Sequence, residues 1–136
     1  LIDQLADAGL TRINVSIHAM DQHVADILAQ QRFPVKHVCE MIEYASKKVA
    51  VHLCPVLVPG FNEDEMEKLI AFACKIGVPI RIQNFLPYKT GLNPAKEWPW
   101  EKFYTLLKRL EKKYDTQLIT TKEDFDIRPT DPLPKP

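Results

Sequence analysis

Residues 12–19, with the sequence RINVSIHA, constrain the fold of this chain more than any other segment. Apolar and polar side chains alternate strictly within it, with Ile13, Val15 and Ile17 set against Asn14, Ser16 and His18. A period of two places alternate side chains on opposite faces of a β-strand. The polar row at the strand's carboxyl end therefore indicates a ligand-facing surface or, alternatively, the wet face of an antiparallel strand.

The rest of the chain alternates between strand and helix patterns. The patterns predict strands at 12–18, 50–58, 79–86 and 116–121, and helices at 21–31, 35–47, 63–76 and 100–114. The run at 50–58 is almost continuously apolar, which is typical of a parallel strand covered on both faces, with a bend expected at Pro55. Such βα units fit an open α/β sheet or an arc of a barrel, and both bind ligands beyond the strands' carboxyl ends. We expect the strands at 12–18, 50–58 and 79–86 to form one parallel sheet, with the helices at 35–47 and 63–76 on the same face of it.

Several residues predict where the helices begin and end. Asp21 is a candidate N-cap of the helix at 21–31. Asn62 is a candidate N-cap of the helix at 63–76, with Glu65 at the capping-box position. Gly77 is the expected stop of that helix.

Composition sets outer limits on function. The chain has 136 residues, 46% of them hydrophobic, and a formal net charge of zero, so nothing global steers it to nucleic acid or to anionic membranes. No apolar run approaches the roughly 20 residues of a membrane span.

The opening residues resemble the end of a helix stopped by Gly9, so we expect a piece of a longer protein. We expect one α/β unit at 1–121 and a proline-rich linker to a downstream domain at 122–136.

The cysteines and histidines give no metal-site pattern. Cys39, Cys54 and Cys74 lack close spacing, and the four histidines lack zinc-ligand spacing. Their apolar contexts predict reduced, buried thiols in a cytoplasmic protein.

Three segments together resemble the second half of a radical S-adenosylmethionine (SAM) enzyme core. They are 14–19 (NVSIHA), 55–63 (PVLVPGFNE) and 83–88 (QNFLPY). The resemblance implies an α/β fold in which the parallel strands form half of a (βα)6 partial TIM-type barrel. These strands would be the fourth, fifth and sixth of that barrel.

The resemblance also implies site residues. The family's fourth strand offers polar atoms to SAM, which here are Asn14, Ser16 and His18. Its GxIxGxxE pattern is matched by Gly60 and Glu63, whereas Val56 replaces the first glycine. The sixth strand would contact adenine near Gln83. Ser16, His18, Gly60 and Gln83 would then point into one common cleft at the strands' carboxyl ends.

The same resemblance suggests how a substrate would be contacted. Arg81, Tyr88 and Trp98 would face it, although Trp98 and Trp100 could equally pin their loop to the core. No residue of the chain is expected to be directly catalytic or to bind metal.

The family's CxxxCxxC loop, which holds its [4Fe–4S] cluster, has no counterpart in these 136 residues. The resemblance therefore implies that this chain uses SAM together with a cluster held by a missing N-terminal half, and that alone it is inactive. The proline-rich tail and the strand at 12–18 resemble those of family members in which an RNA-binding barrel follows the core, which suggests a macromolecular substrate such as RNA. The exposed edge of the first strand would pair with the missing half; in the isolated chain it would form a homodimer or be covered by the chain's tail.

Two other functions stay open at this stage. Half of another (βα) barrel, of aldolase or isomerase type, would favour a strand-end lysine and a glycine-rich phosphate loop. A non-catalytic α/β module would bind a partner through its first strand.

Overall fold

The computed structural model describes residues 1–119 of the chain. The helices and strands of this part follow one another as α1 (Ile2–Asp7), β1 (Arg12–Val15), α2 (Gln22–Ala29), α3 (Val35–Ala45), β2 (Ala50–Leu53), β3 (Val56–Leu57), α4 (Glu65–Ile76), β4 (Gln83–Asn84) and α5 (Trp100–Tyr114). The linker expected at 122–136 lies outside the described residues.

The strands pair in parallel, as predicted, but they form two two-stranded sheets instead of the single sheet expected. β1 pairs with β2, β3 pairs with β4, and a parallel bridge between Leu53 and Ile80 joins the two pairs. The predicted strand at 50–58 is divided at Pro55, because proline has no N–H to give to a ladder. The α/β organisation with short parallel strands is therefore confirmed, and the half-barrel stays a prediction.

The strands are shorter than predicted, and one predicted strand is wrong over its described part. The segment 79–86 contributes only the bridge at Ile80 and the two residues of β4. Residues 116–119 form no strand. The Glu111 carboxylate accepts hydrogen bonds from the backbone N–H groups of Leu118 and Ile119, at 2.7 and 2.6 Å, so a side chain takes donors that a strand would give to a neighbour.

Two of the predicted helix-end residues are confirmed, and the predicted capping box is not. Asp21 caps α2 by accepting from the N–H groups of His23 and Val24, as predicted. Gly77 ends α4 with a φ of 71°, a left-handed conformation that suits glycine. However, α4 begins at Glu65, and its N-cap residue, Asp64, makes no side-chain capping bond. The predicted capping box is therefore wrong.

Helices α3, α4 and α5 cover one face of the strands. Val15, Leu53 and Ile80 belong to a single apolar cluster together with buried side chains of α3, α4 and α5. This arrangement agrees with the prediction that the helices at 35–47 and 63–76 share a face. The opposite face of the strands is left open by these helices.

The cysteines are free thiols, but the prediction that all three are buried is wrong. Cys39 and Cys54 are half-buried and Cys74 is exposed. Cys74 lies at an exposed position near the end of α4.

Candidate functional site

The open face of the strands carries the predicted polar row. Asn14 and Ser16 are exposed, and His18 is half-buried. In the parallel register Asn14 lies beside His52 of β2. We call this surface, formed by Asn14, Ser16, His18, His52, Cys54, Arg81 and Gln83, the open face.

His18 is held in one chemical form. Its Nδ1 atom accepts a hydrogen bond of 3.0 Å from the backbone N–H of Val56. Because an amide N–H can only donate, Nδ1 is unprotonated and the proton of the neutral ring is on Nε2. Burial lowers the pKa of His18 below its usual value, which also favours the neutral ring. Its Nε2–H group is thus the donor that the ring can offer to a ligand.

Ser16 and His18 line a common cleft of about 340 Å³. Its other side is formed by apolar residues of α2 and by Phe33. Gly60 and Gln83, predicted to share a cleft with these two residues, are not among its lining residues. Gln83 and His18 are instead linked through Val56. The His18 ring accepts a hydrogen bond from Val56, and Gln83 is the cross-strand neighbour of Val56.

Gly60 and Glu63 form a turn after β3. Gly60 has a φ of 85°, which L-residues rarely adopt, and its N–H donates to the Glu63 carboxylate at 2.6 Å. The predicted motif glutamate therefore fixes the turn beside the strand end. Its contact with a cofactor stays a prediction.

Arg81 gives the open face a positive charge. Burial lowers the pKa of His52, and the charges of Arg12 and Arg81 lower it further. Burial raises the pKa of Cys54, and Arg81 opposes that effect. The positive charge of Arg81 therefore acts on both side chains of the open face.

Tyr88 and Trp98 lie in the long loop before α5. Tyr88 is exposed, and its backbone N–H donates to Asn93. Trp98 packs against the core, and its carbonyl oxygen accepts a 2.9 Å hydrogen bond from Asn84. These contacts fit the pinning alternative for Trp98, and the substrate contact of both aromatic residues stays a prediction.

Sequence reasoning assigned Asn62 and Glu65 to a capping box and so missed their actual hydrogen-bond partners. Both are buried polar side chains, and both reach the segment that follows β1. The burial of Glu65 could have been predicted from helical spacing. Glu65 lies four residues before Leu69, so both residues are on the face of the helix that packs on the core.

Residues 1–119 contain neither a cluster of metal-binding side chains nor a helix that could span a membrane. No three His, Cys, Asp or Glu side chains there come together as a metal site. None of the helices in this range has the length and apolar character needed to cross a membrane.

Comparison with known proteins assigns the chain to a family. The radical SAM superfamily matches residues 1–73, slightly more than half of the chain. The chain therefore belongs to the radical SAM superfamily. This membership sets aside the aldolase or isomerase alternative.

The relatives are longer proteins. An uncharacterised protein of Methanocaldococcus jannaschii is 33% identical over 100% of this chain and 37% of its own length. Two proteins named GTP 3',8-cyclase are each 29% identical to this chain. The one from Peptoclostridium acidaminophilum matches over 74% of this chain and 30% of its own length. The one from Aquifex aeolicus matches over 96% of this chain and 37% of its own length. The chain thus spans about a third of the length of these curated relatives.

The family implies SAM and a [4Fe–4S] cluster, and the described residues fit the first group. Asn14, Ser16 and the Nε2–H of His18 offer hydrogen-bonding groups on an accessible surface, as a molecule with carboxylate, amine and hydroxyl groups requires. The cysteines within residues 1–119 do not group with other ligands, so the described part does not itself provide a cluster site.

Proposed function

We propose that this chain forms part of the SAM-binding wall of a radical SAM enzyme. The observation that carries the proposal is the accessible polar row of Asn14, Ser16 and His18 at the carboxyl end of β1, in a chain of this superfamily. When bound, the [4Fe–4S] cluster supplies the electron that cleaves SAM. The residues of this chain bind and orient SAM.

The hydrogen-bonding groups of each side chain suggest which part of SAM it binds. Ser16 and Asn14 both donate and accept, so they suit the ribose hydroxyls or the methionyl group of SAM. His18 donates from Nε2, and Gln83 provides a further amide near the adenine. Gly60 and Glu63 keep the neighbouring turn in place.

The substrate of the whole enzyme is proposed from its relatives. Several of them carry the name GTP 3',8-cyclase, so we propose a purine nucleotide whose phosphates meet Arg81. Tyr88 and Trp98 stay predicted substrate contacts. RNA is the alternative substrate, and competition of GTP and of short RNA for the same site distinguishes the two.

The proposal also covers the rest of the protein. A segment outside these 136 residues holds the cluster, pairs with the edge of β1 that has no neighbouring strand within residues 1–119, and is required for activity. Without it, the free edge favours a homodimer of the chain. The free thiols fit the cytoplasmic location expected from the sequence.

The test is SAM binding by the full-length protein with its cluster reconstituted. Ser16→Ala is expected to weaken binding by about 1 kcal/mol or somewhat more, because one hydrogen bond is lost. Isothermal titration calorimetry measures this change directly. Ser46→Ala is the matched control, since the Ser46 hydroxyl bonds only locally, to the Glu43 carbonyl at the end of α3.

Equal SAM affinity in Ser16→Ala and the unaltered protein would remove β1 from the cofactor site. If the unaltered protein binds no SAM at all, the chain is better explained as the non-catalytic interaction module.

A further inference from the structure

The connection between β1 and β3 depends on side chains, because the backbone ladder ends at Pro55. The last ladder bond in this region runs from the Cys54 N–H to the Val15 carbonyl, at 2.9 Å. Pro55 offers no N–H for a further bond. Past this point the His18 ring accepts the Val56 N–H in place of a backbone carbonyl.

Asn62 completes the connection. Its Nδ2 donates to the carbonyl oxygens of His18 and Val56, at 2.8 and 2.9 Å, and its Oδ1 accepts from the Val58 N–H at 2.7 Å. The residue is 1% exposed, so each bond is formed away from water. One side-chain amide, that of Asn62, therefore binds the backbone of both His18 and Val56, the residue whose N–H the His18 ring accepts.

Glu65 holds the next part of the same segment. One carboxylate oxygen accepts from the N–H groups of Met20 and Asp21, at 2.7 and 2.8 Å, and the other pairs with Lys68. Burial by itself raises the pKa of Glu65, but Lys68 and the two amides outweigh burial, and the net pKa is lowered. The carboxylate is therefore charged at neutral pH while it binds this segment.

The contacts of Asn62 and Glu65 do not serve to stabilise the start of α4. Asn62 and Glu65 are suited to cap α4 locally, yet α4 begins without a side-chain cap. Both residues reach 44 to 45 positions back along the chain instead. All of their long-range bonds converge on residues 18–21, which follow the polar row.

We propose that Asn62 and Glu65 are positioning residues that fix His18 in its Nε2–H form and orient it toward SAM. The proposal rests on the proposed function, because it assumes that His18 meets SAM. It assigns no contact with SAM to Asn62 or Glu65 themselves.

The test uses the full-length protein and two measurements. Long-range ¹H–¹⁵N NMR spectra of the imidazoles report which nitrogen of His18 carries the proton, and calorimetry reports SAM affinity. In the unaltered protein we expect the proton on Nε2. Asn62→Ala should let the His18 tautomers average, and both it and Glu65→Ala should weaken SAM binding about tenfold, the equivalent of one well-formed hydrogen bond.

Matched variants separate positioning from general stability. Glu65→Gln keeps an oxygen for the Met20 and Asp21 amides and should bind SAM nearly as the unaltered protein does. Lys68→Ala removes only the exposed partner of the ion pair and should do the same. Folding of every variant is checked by urea unfolding, and Asn62→Ser, which keeps a hydroxyl donor, replaces Asn62→Ala if that variant does not fold.

Two results would overturn the proposal. One is a proton on Nδ1 of His18 in the unaltered protein, a measurement that needs no variant. The other is a folded Glu65→Ala that binds SAM as Lys68→Ala does. Absence of SAM binding in the unaltered protein would contradict the proposed function instead, while the spectra would still decide whether Asn62 fixes the ring.

Discussion

Asp21 and Asp64 precede α2 and α4 at the same N-cap position, but only Asp21 acts as a cap. Its carboxylate accepts at 2.9 and 3.0 Å from the N–H groups of His23 and Val24, whereas Asp64 makes no such bond. Asp21→Ala should therefore lower the midpoint of urea unfolding, because two helix amides lose their partner. Asp64→Ala is the matched control and should leave the midpoint nearly unchanged. A larger loss from Asp64→Ala would contradict these cap assignments.

His18 should make stability depend on pH. Its folded-state pKa is lowered by burial, so below the ordinary value of 6.5 the unfolded chain binds the proton more readily than the folded protein. The free energy of unfolding should fall as pH decreases from about neutral through this value. His52 acts in the same direction, because its pKa is also lowered.

Urea unfolding at several pH values isolates the contribution of His18. His18→Gln removes its titration, and the variant should show a shallower loss of stability toward acid than the unaltered protein. An unchanged slope would mean that the ring is not held neutral in the folded state.

At the scale of elements, Leu53 joins the two strand pairs. It is fully buried, is the last residue of β2 and forms the bridge to Ile80. Leu53→Ala should lower the free energy of unfolding by about 2–5 kcal/mol, through lost burial and the cavity left behind. Leu92→Ala is the control, since Leu92 is 100% exposed, and it should change stability little. Similar unfolding curves for the two variants would contradict the assigned core.

The elements also show what the sequence can predict. α5 has the bounds that its apolar period predicts, because packing of one helical stripe decides them. The strands are shorter than predicted, because their ends depend on which backbone groups find partners, and Pro55 is the clearest such interruption. Asn62 and Glu65 were misassigned because a capping box is a local pattern, whereas their actual partners lie far away in the sequence.

At the scale of the whole molecule, the predicted parallel order and the superfamily are confirmed, and the site was predictable only in part. Ser16 and His18 are brought together because they share one strand face. Their cleft excludes Gly60 and Gln83, whose positions depend on turns and on very short strands. The open face and the free edge of β1 within residues 1–119 are surfaces that the proposed remainder of the enzyme would cover.

The most direct test of the central claim is amide hydrogen exchange of the full-length, reconstituted protein with and without SAM. If the open face binds SAM, exchange should slow in residues 16–20 and in the turn at 58–62, whereas the exposed side of α5 should be unaffected. Ser16→Ala should show the same protection only at higher SAM concentration. Protection confined to α5 or to segments outside these residues, with none at 16–20 or 58–62, would contradict the account.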